Sequence, residues 1–133
     1  MGSSTAEMVM KLEGLIPVLQ CLKIEKTLDF YQQALRYIVI NKTETDLGLQ
    51  WAYIKSDNTY LMLQRASETI NQNHSDKILL HYYTTDITAQ HQFMAVRGIN
   101  VGQIDDTAYY IRQFYVEDPE GNKISIGQDI NNT

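Results

Sequence analysis

The feature that most constrains this chain is an internal repeat. Ile24 falls on Ile87, Phe30 on Phe93, Leu61 on Ile124 and Leu63 on Ile126, each 63 positions on and without a gap. Asp57 falls on Glu120 within equivalent turns. Few residues are identical, so the repeat is one of element order and apolar register, the mark of a structural half-unit used twice.

Each half reads as β-α-β-β-β. Leu15 to Cys21 forms a first strand, with Pro17 marking an edge or a strand start because it cannot donate a ladder hydrogen bond. Ile24, Leu28, Tyr31 and Leu35 then recur at helical spacing. Tyr37 to Thr43 is β-branched and aromatic, Leu49 to Lys55 contains Trp51 and Tyr53, and Tyr60 to Gln64 follows the turn Ser56-Asp57-Asn58-Thr59, which reads as three strands. A polar stretch, Arg65 to Asp76, breaks the periodicity and predicts a linker. The order then begins again with a strand over Lys77 to Thr84. Asp86 caps a helix carrying Ile87, His91 and Met94, Arg97-Gly98 ends it, and strands follow over Asn100 to Ile104, Tyr110 to Val116 and Lys123 to Gln128. Asp118-Pro-Glu-Gly-Asn122 supplies a preset φ, a residue free to take φ > 0 and polar turn formers, so the last two strands make a hairpin. The expected organisation is a disordered or tag-like 1–13, a first module over 14–64, a linker over 65–76, a second module over 77–129 and a tail over 130–133.

Charge and length narrow the function. The net charge is −5 and the basic residues are dispersed, which disfavours nucleic acid. No apolar run can cross a bilayer, and the start lacks the basic and apolar regions of a secretory signal. A single cysteine, Cys21, has no disulfide partner, which fits a reducing cytoplasm. Alternation puts Leu19, Cys21, Leu61, Leu63, Leu80, Ile124 and Ile126 on a helix-covered face. The opposite face receives Ile16, Val18, Gln20, Tyr60, Met62, Gln64, Leu79, His81, Tyr83, Gln113, Tyr115, Lys123 and Ser125.

Two stretches, Pro17-Val-Leu with Thr27-Leu-Asp-Phe-Tyr31 and Arg112-Gln-Phe-Tyr-Val-Glu-Asp-Pro-Glu-Gly-Asn122, resemble the vicinal oxygen chelate superfamily, in particular its bleomycin-resistance branch. The resemblance implies an α+β fold of two βαβββ modules forming a curved mixed β-sheet cleft with helices on the outside, commonly as a homodimer. It also implies metal-ligand positions, which fall on Ile16, Met62, Leu79 and Ser125. Two aliphatic side chains, a thioether and a neutral hydroxyl do not make a site for the hard divalent ions this chemistry uses. His81, two residues beyond Leu79, is the one nearby imidazole.

The expected function is therefore a metal-free protein, without cofactor or catalytic residues, that binds a hydrophobic, aromatic or cationic small molecule in its cleft. The candidate binding residues are Gln20, Tyr60, Met62, His81, Tyr83, Tyr109, Arg112, Gln113, Tyr115 and Ser125, with Tyr109 near the cleft mouth and Arg112 as a clamp for an anionic group. The alternative is a lyase or dioxygenase-type enzyme with an atypical metal site or with His81 as general base. Trp51 and Tyr53 align through the repeat with Phe114 and Val116, which assigns both to the core, and His91 is read as packing.

Overall fold

The computed structural model describes residues 11–67 and 77–130. Residues 1–10, 68–76 and 131–133, and with them most of the expected N-terminal segment, linker and tail, lie outside the described residues.

The first sheet comprises β1 (Val18–Cys21), β2 (Ile38–Thr45), β3 (Gly48–Ser56) and β4 (Thr59–Arg65), with α1 (Ile24–Leu35) between β1 and β2. The second comprises β5 (Leu79–Tyr83), β6 (Asp105–Asp106), β7 (Ile111–Glu117) and β8 (Lys123–Asp129), with α2 (Ile87–Ala95) after β5. Their orders, β1-β4-β3-β2 and β5-β8-β7-β6, are the same topology used twice, and in each the first strand runs parallel to the last. The α+β fold of two βαβββ modules is thus present as expected.

Strand limits differ from expectation where the backbone lacks a neighbour. Before Pro17 the chain has no pairing strand, so β1 starts at Val18 and Leu15 stays exposed. Asn100 to Ile104 is not a strand. Gly102 N donates to Tyr115 O at 2.8 Å, but the ladder begins only at Asp105.

The repeat also slips by one residue inside the sheets. Lys55 pairs with Tyr60 across four intervening residues, whereas Glu117 pairs with Lys123 across five. Because side chains alternate, a one-residue change in the closing loop exchanges the faces of the strand before it. Trp51 and Tyr53, paired with Gln64 and Met62, therefore stand on the open face and not beneath the helix. Their expected counterparts Phe114 and Val116, paired with Ile126 and Ile124, are in the core. The assignment of Trp51 and Tyr53 to the core is overturned.

One core joins the modules. Leu19, Leu61, Leu63, Phe114, Ile124 and Ile126 from the sheets pack with Ile24 and Tyr31 of α1 and Ile87 and Met94 of α2. The halves meet on these helix-covered sides: the Tyr37 and Tyr82 hydroxyls lie 2.8 Å apart, and Gln90 Nε2 donates to Ala34 O. The opposite face of each sheet carries no helix. On these faces Val18, Leu79, Tyr83 and Tyr115 remain 46%, 58%, 68% and 47% exposed.

Candidate functional site

The orientation of the modules is held by the β7–β8 turn. Asp118 Oδ1 accepts from Glu120 N and Asn122 N, and Gly121, at φ 88°, lets the chain reverse. The turn is buried and reaches the other half. Glu120 accepts from Leu22 N at 2.9 Å, from Lys23 N at 2.8 Å and from Thr27 Oγ1 at 2.8 Å, while Tyr31 Oη donates to Asp118 Oδ2 at 2.7 Å. A carboxylate thus sits at the N-terminus of α1, where unpaired backbone donors and the helix dipole favour negative charge. Cys21 lies beside it. Burial, with the Glu120 and Asp118 charges adding to it, pushes this thiol up to about 12, so it is unreactive at neutral pH.

On the open face of the first sheet the short β3–β4 turn aligns three rings. Trp51 stacks on Tyr53 with centroids 6.3 Å apart, and Tyr53 on Tyr60 at 5.9 Å, with interplanar angles of 23° and 29°. The Lys55 ammonium stands 5.6 Å over the Tyr60 ring. Met62 and Val18 pair beside this ladder, and Gln20 Nε2 donates to Gln64 Oε1. The surface is aromatic and only partly covered.

The open face of the second sheet is polar and ordered. His81, Ser125 and Tyr115 form one row across β5, β8 and β7, because they are register partners. His81 Nδ1 lies 3.0 Å from Ser125 Oγ, Ser125 Oγ donates to Gln113 Oε1 at 3.3 Å, and Gln113 Nε2 donates to Tyr115 Oη at 2.9 Å. Tyr83 meets the His81 ring edge-to-face at 4.6 Å. Gly127 makes room for this ring: a Cβ there would lie 3.1 Å from His81 Cε1 and 2.8 Å from Ile111 Cγ2. An open pocket of about 890 Å³ adjoins the row, lined by Leu79, Tyr115, Lys123, Ile99, Asn100 and Phe30 among others.

The expected residues thus divide into three groups. Gln20, Tyr60 and Met62 share the first open face, and His81, Tyr83, Gln113, Tyr115 and Ser125 share the second. Tyr109 and Arg112 join neither. Tyr109 is exposed in the turn before β7. Arg112 pairs with Gln128 on the other side of the sheet from Gln113, and its guanidinium is engaged by Asp106 at 2.8 Å, which holds that carboxyl below its ordinary range. Trp51 and Tyr53 are open-face residues that the repeat concealed. The two-residue turn Asp57-Asn58 was the signal for them, because it fixes which residues of β3 and β4 face each other. His91 packs edge-to-face on Phe114, and its Nε2 lies 2.9 Å from Gly102 O.

The implied metal does not fit the residues present. Of its four positions, Ile16 and Leu79 are aliphatic, Met62 lies beside Tyr53 on β4, and the Ser125 hydroxyl is engaged with His81 and Gln113. Among the described residues no group of three or more His, Cys, Asp or Glu side chains could hold an ion.

Paired βαβββ modules with helices on one side of each sheet define a vicinal oxygen chelate fold. The chain belongs to the Glyoxalase/Bleomycin resistance protein/Dioxygenase superfamily, whose sequence model matches residues 17–126. Similar solved structures include TnmS3, an antibiotic binding protein from Streptomyces sp. CB03234, at 21% identity and a TM-score of 0.72, with 90% of this chain and 98% of that chain covered. A bleomycin-binding protein complexed with bleomycin aligns at 12% identity and a TM-score of 0.70, covering 88% and 98%. Lactoylglutathione lyase from Agrobacterium tumefaciens aligns at 15% identity and 0.69, covering 90% and 96%. No curated protein sequence matches the chain. Among the described residues no helix is long and apolar enough to cross a membrane.

Proposed function

We propose that this chain is a metal-free binding protein of the superfamily that takes up a hydrophobic, aromatic or cationic small molecule in a reducing cytoplasm. The observation that carries the reading is the Trp51–Tyr53–Tyr60 ladder on a partly exposed face. Aligned rings with free π-surface bind flat or cationic guests, and the ligand-binding structures with the same fold support such a use. Both faces leave apolar and aromatic side chains exposed within one chain. Covering them by a second copy, the first face of one against the second face of the other, would close a cleft, so the working unit is a homodimer.

Trp51 is the only tryptophan, so its fluorescence reports on the ladder directly. Titration with planar aromatic and cationic compounds is expected to quench it saturably, with a rise in Tm. Absence of both for every compound sinks the reading, and a monomer in sedimentation at micromolar concentration sinks its dimeric form. A second reading, metal-free lyase chemistry with His81 as general base, is favoured by the 3.0 Å His81–Ser125 contact. Mass spectrometry of a bound compound after prolonged incubation decides it: recovery of unchanged compound removes this alternative.

A further inference from the structure

We infer that the His81–Ser125–Gln113–Tyr115 row is a polarised relay that reads a hydrogen-bond donor at one end of an elongated aromatic ligand and an acceptor at the other. The inference rests on the small-molecule reading above. It follows from counting protons. Ser125 has one hydroxyl proton, and it goes to Gln113 Oε1, so the Ser125–His81 bond must use the proton of His81 Nδ1. A neutral imidazole protonated at Nδ1 has a lone pair at Nε2, and that nitrogen has no partner among the described residues. At the other end Gln113 Nε2 donates to Tyr115 Oη, which leaves the Tyr115 proton free. One end therefore accepts and the other donates.

His81 and Tyr115 are both exposed on this face. They are separated by two strand spacings, about 10 Å. That is the length of a fused two-ring system with substituents at its opposite ends. In place of a metal that would polarise an oxygen, Ser125, on one of the four implied ligand positions, couples two distant polar groups. Turning the Gln113 amide by half a revolution would invert every donor and acceptor together, so the ends are always opposite in kind. The observed amide orientation puts the acceptor at His81.

The polarity is tested without any ligand. Nitrogen-15 NMR of the free protein at a pH where His81 is neutral is expected to show Nδ1–H, and Ser125→Ala to move the proton to Nε2. An Nε2–H tautomer in the unsubstituted protein overturns the inference. The ligand class is tested by calorimetry with methyl 6-amino-2-naphthoate and its N,N-dimethyl analogue, which lacks the donor. The amine is expected to bind roughly tenfold more tightly, His81→Phe to level the pair, and Tyr115→Phe to weaken both alike. Equal binding of the two by the unsubstituted protein overturns the relay as a reader but leaves the small-molecule reading standing. Binding of neither, in a protein with the Nδ1–H tautomer, overturns the ligand assignment and leaves the small-molecule reading to the fluorescence titration.

Discussion

The β3–β4 and β7–β8 hairpins occupy the same place in the two halves, yet their roles differ. Asp57-Asn58 is an exposed two-residue turn; beside it Ser56 Oγ donates to Leu35 O, and Thr59 Oγ1 lies 2.8 Å from both Ser56 O and the hydroxyl of buried Tyr37, all within the same half. Asp118-Pro-Glu-Gly-Asn122 is buried at Asp118, Glu120 and Asn122 and bonds across to α1 in the other module. The helices show the complementary difference. At the N-terminus of α2, Asp86 accepts from Ala89 N, whereas Lys23 at the start of α1 makes no side-chain cap. One additional loop residue lets the second turn supply that cap from outside, and the same residue decides which side chains of the preceding strand reach the open face. The doubled topology was kept while the ends of the halves diverged.

The sharpest way to break this comparison is Glu120→Ala. It removes the acceptor of three hydrogen bonds, two from backbone donors at the start of α1 and one from buried Thr27. Bonds to a charged group, plus donors left unpaired, make the expected loss about 3–5 kcal/mol by urea denaturation. A loss under about 1 kcal/mol would mean that the second turn is no more an anchor than the first.

Gly127→Ala comes next. The added methyl would meet Ile111 Cγ2 at 2.8 Å and the His81 ring at 3.1 Å. Crowding of this kind costs about 1–3 kcal/mol and should shift the His81 ring resonances. The sister position in the first module is Gln64, exposed on the edge of the ladder face, where Gln64→Ala is expected to change stability by less than about 0.5 kcal/mol. Equal effects would mean that the two open faces are packed alike.

Tyr31→Phe probes the anchor from the α1 side and is expected to cost about 1–2 kcal/mol through the lost bond to Asp118. It also carries a pH signature. Burial, then the Asp118 charge and hydrogen bond, pushes the Tyr31 hydroxyl far above its ordinary value of 10.0. The folded protein keeps this phenol neutral while the unfolded chain ionises it. The advantage of the unsubstituted protein over Tyr31→Phe is therefore fully present below pH 10 and shrinks as the pH rises above it. An advantage that grows in that range would contradict the buried placement.

Much of this was legible in the sequence because period and order are local properties. The stripe Ile24, Leu28, Tyr31 and Leu35, the Asp86 cap and the turn residues before Lys123 each declare their element within a few positions. The repeat carried those readings across both halves. Its failure at Trp51 and Tyr53 has a definite cause: an apolar match at a fixed step cannot register a loop longer by one residue, and β-strand faces invert at that step. Glu120 was legible as a turn former but not as a cap for α1, since its partners Lys23 and Thr27 lie 97 and 93 residues away. The His81–Ser125–Gln113–Tyr115 row was legible as a set of residues on one face, but the direction of its protons depends on which amide atom meets which hydroxyl.

The smallest expected effect is the most discriminating about the first hairpin. Asp57 adopts φ 50°, a left-handed conformation that Gly tolerates without penalty and Asp accepts at some cost. Asp57→Gly relieves that cost but gives the unfolded chain more freedom, and the two terms are similar in size. Stability should therefore change by less than about 0.5 kcal/mol, with the β3–β4 register and the Trp51 emission unchanged. Glu120, its counterpart in the repeat, has no such tolerance. A loss above about 1.5 kcal/mol for Asp57→Gly, or a shifted Trp51 spectrum, would show that the Asp57 carboxylate also holds distant structure, and the asymmetry between the hairpins would fail at its exposed end.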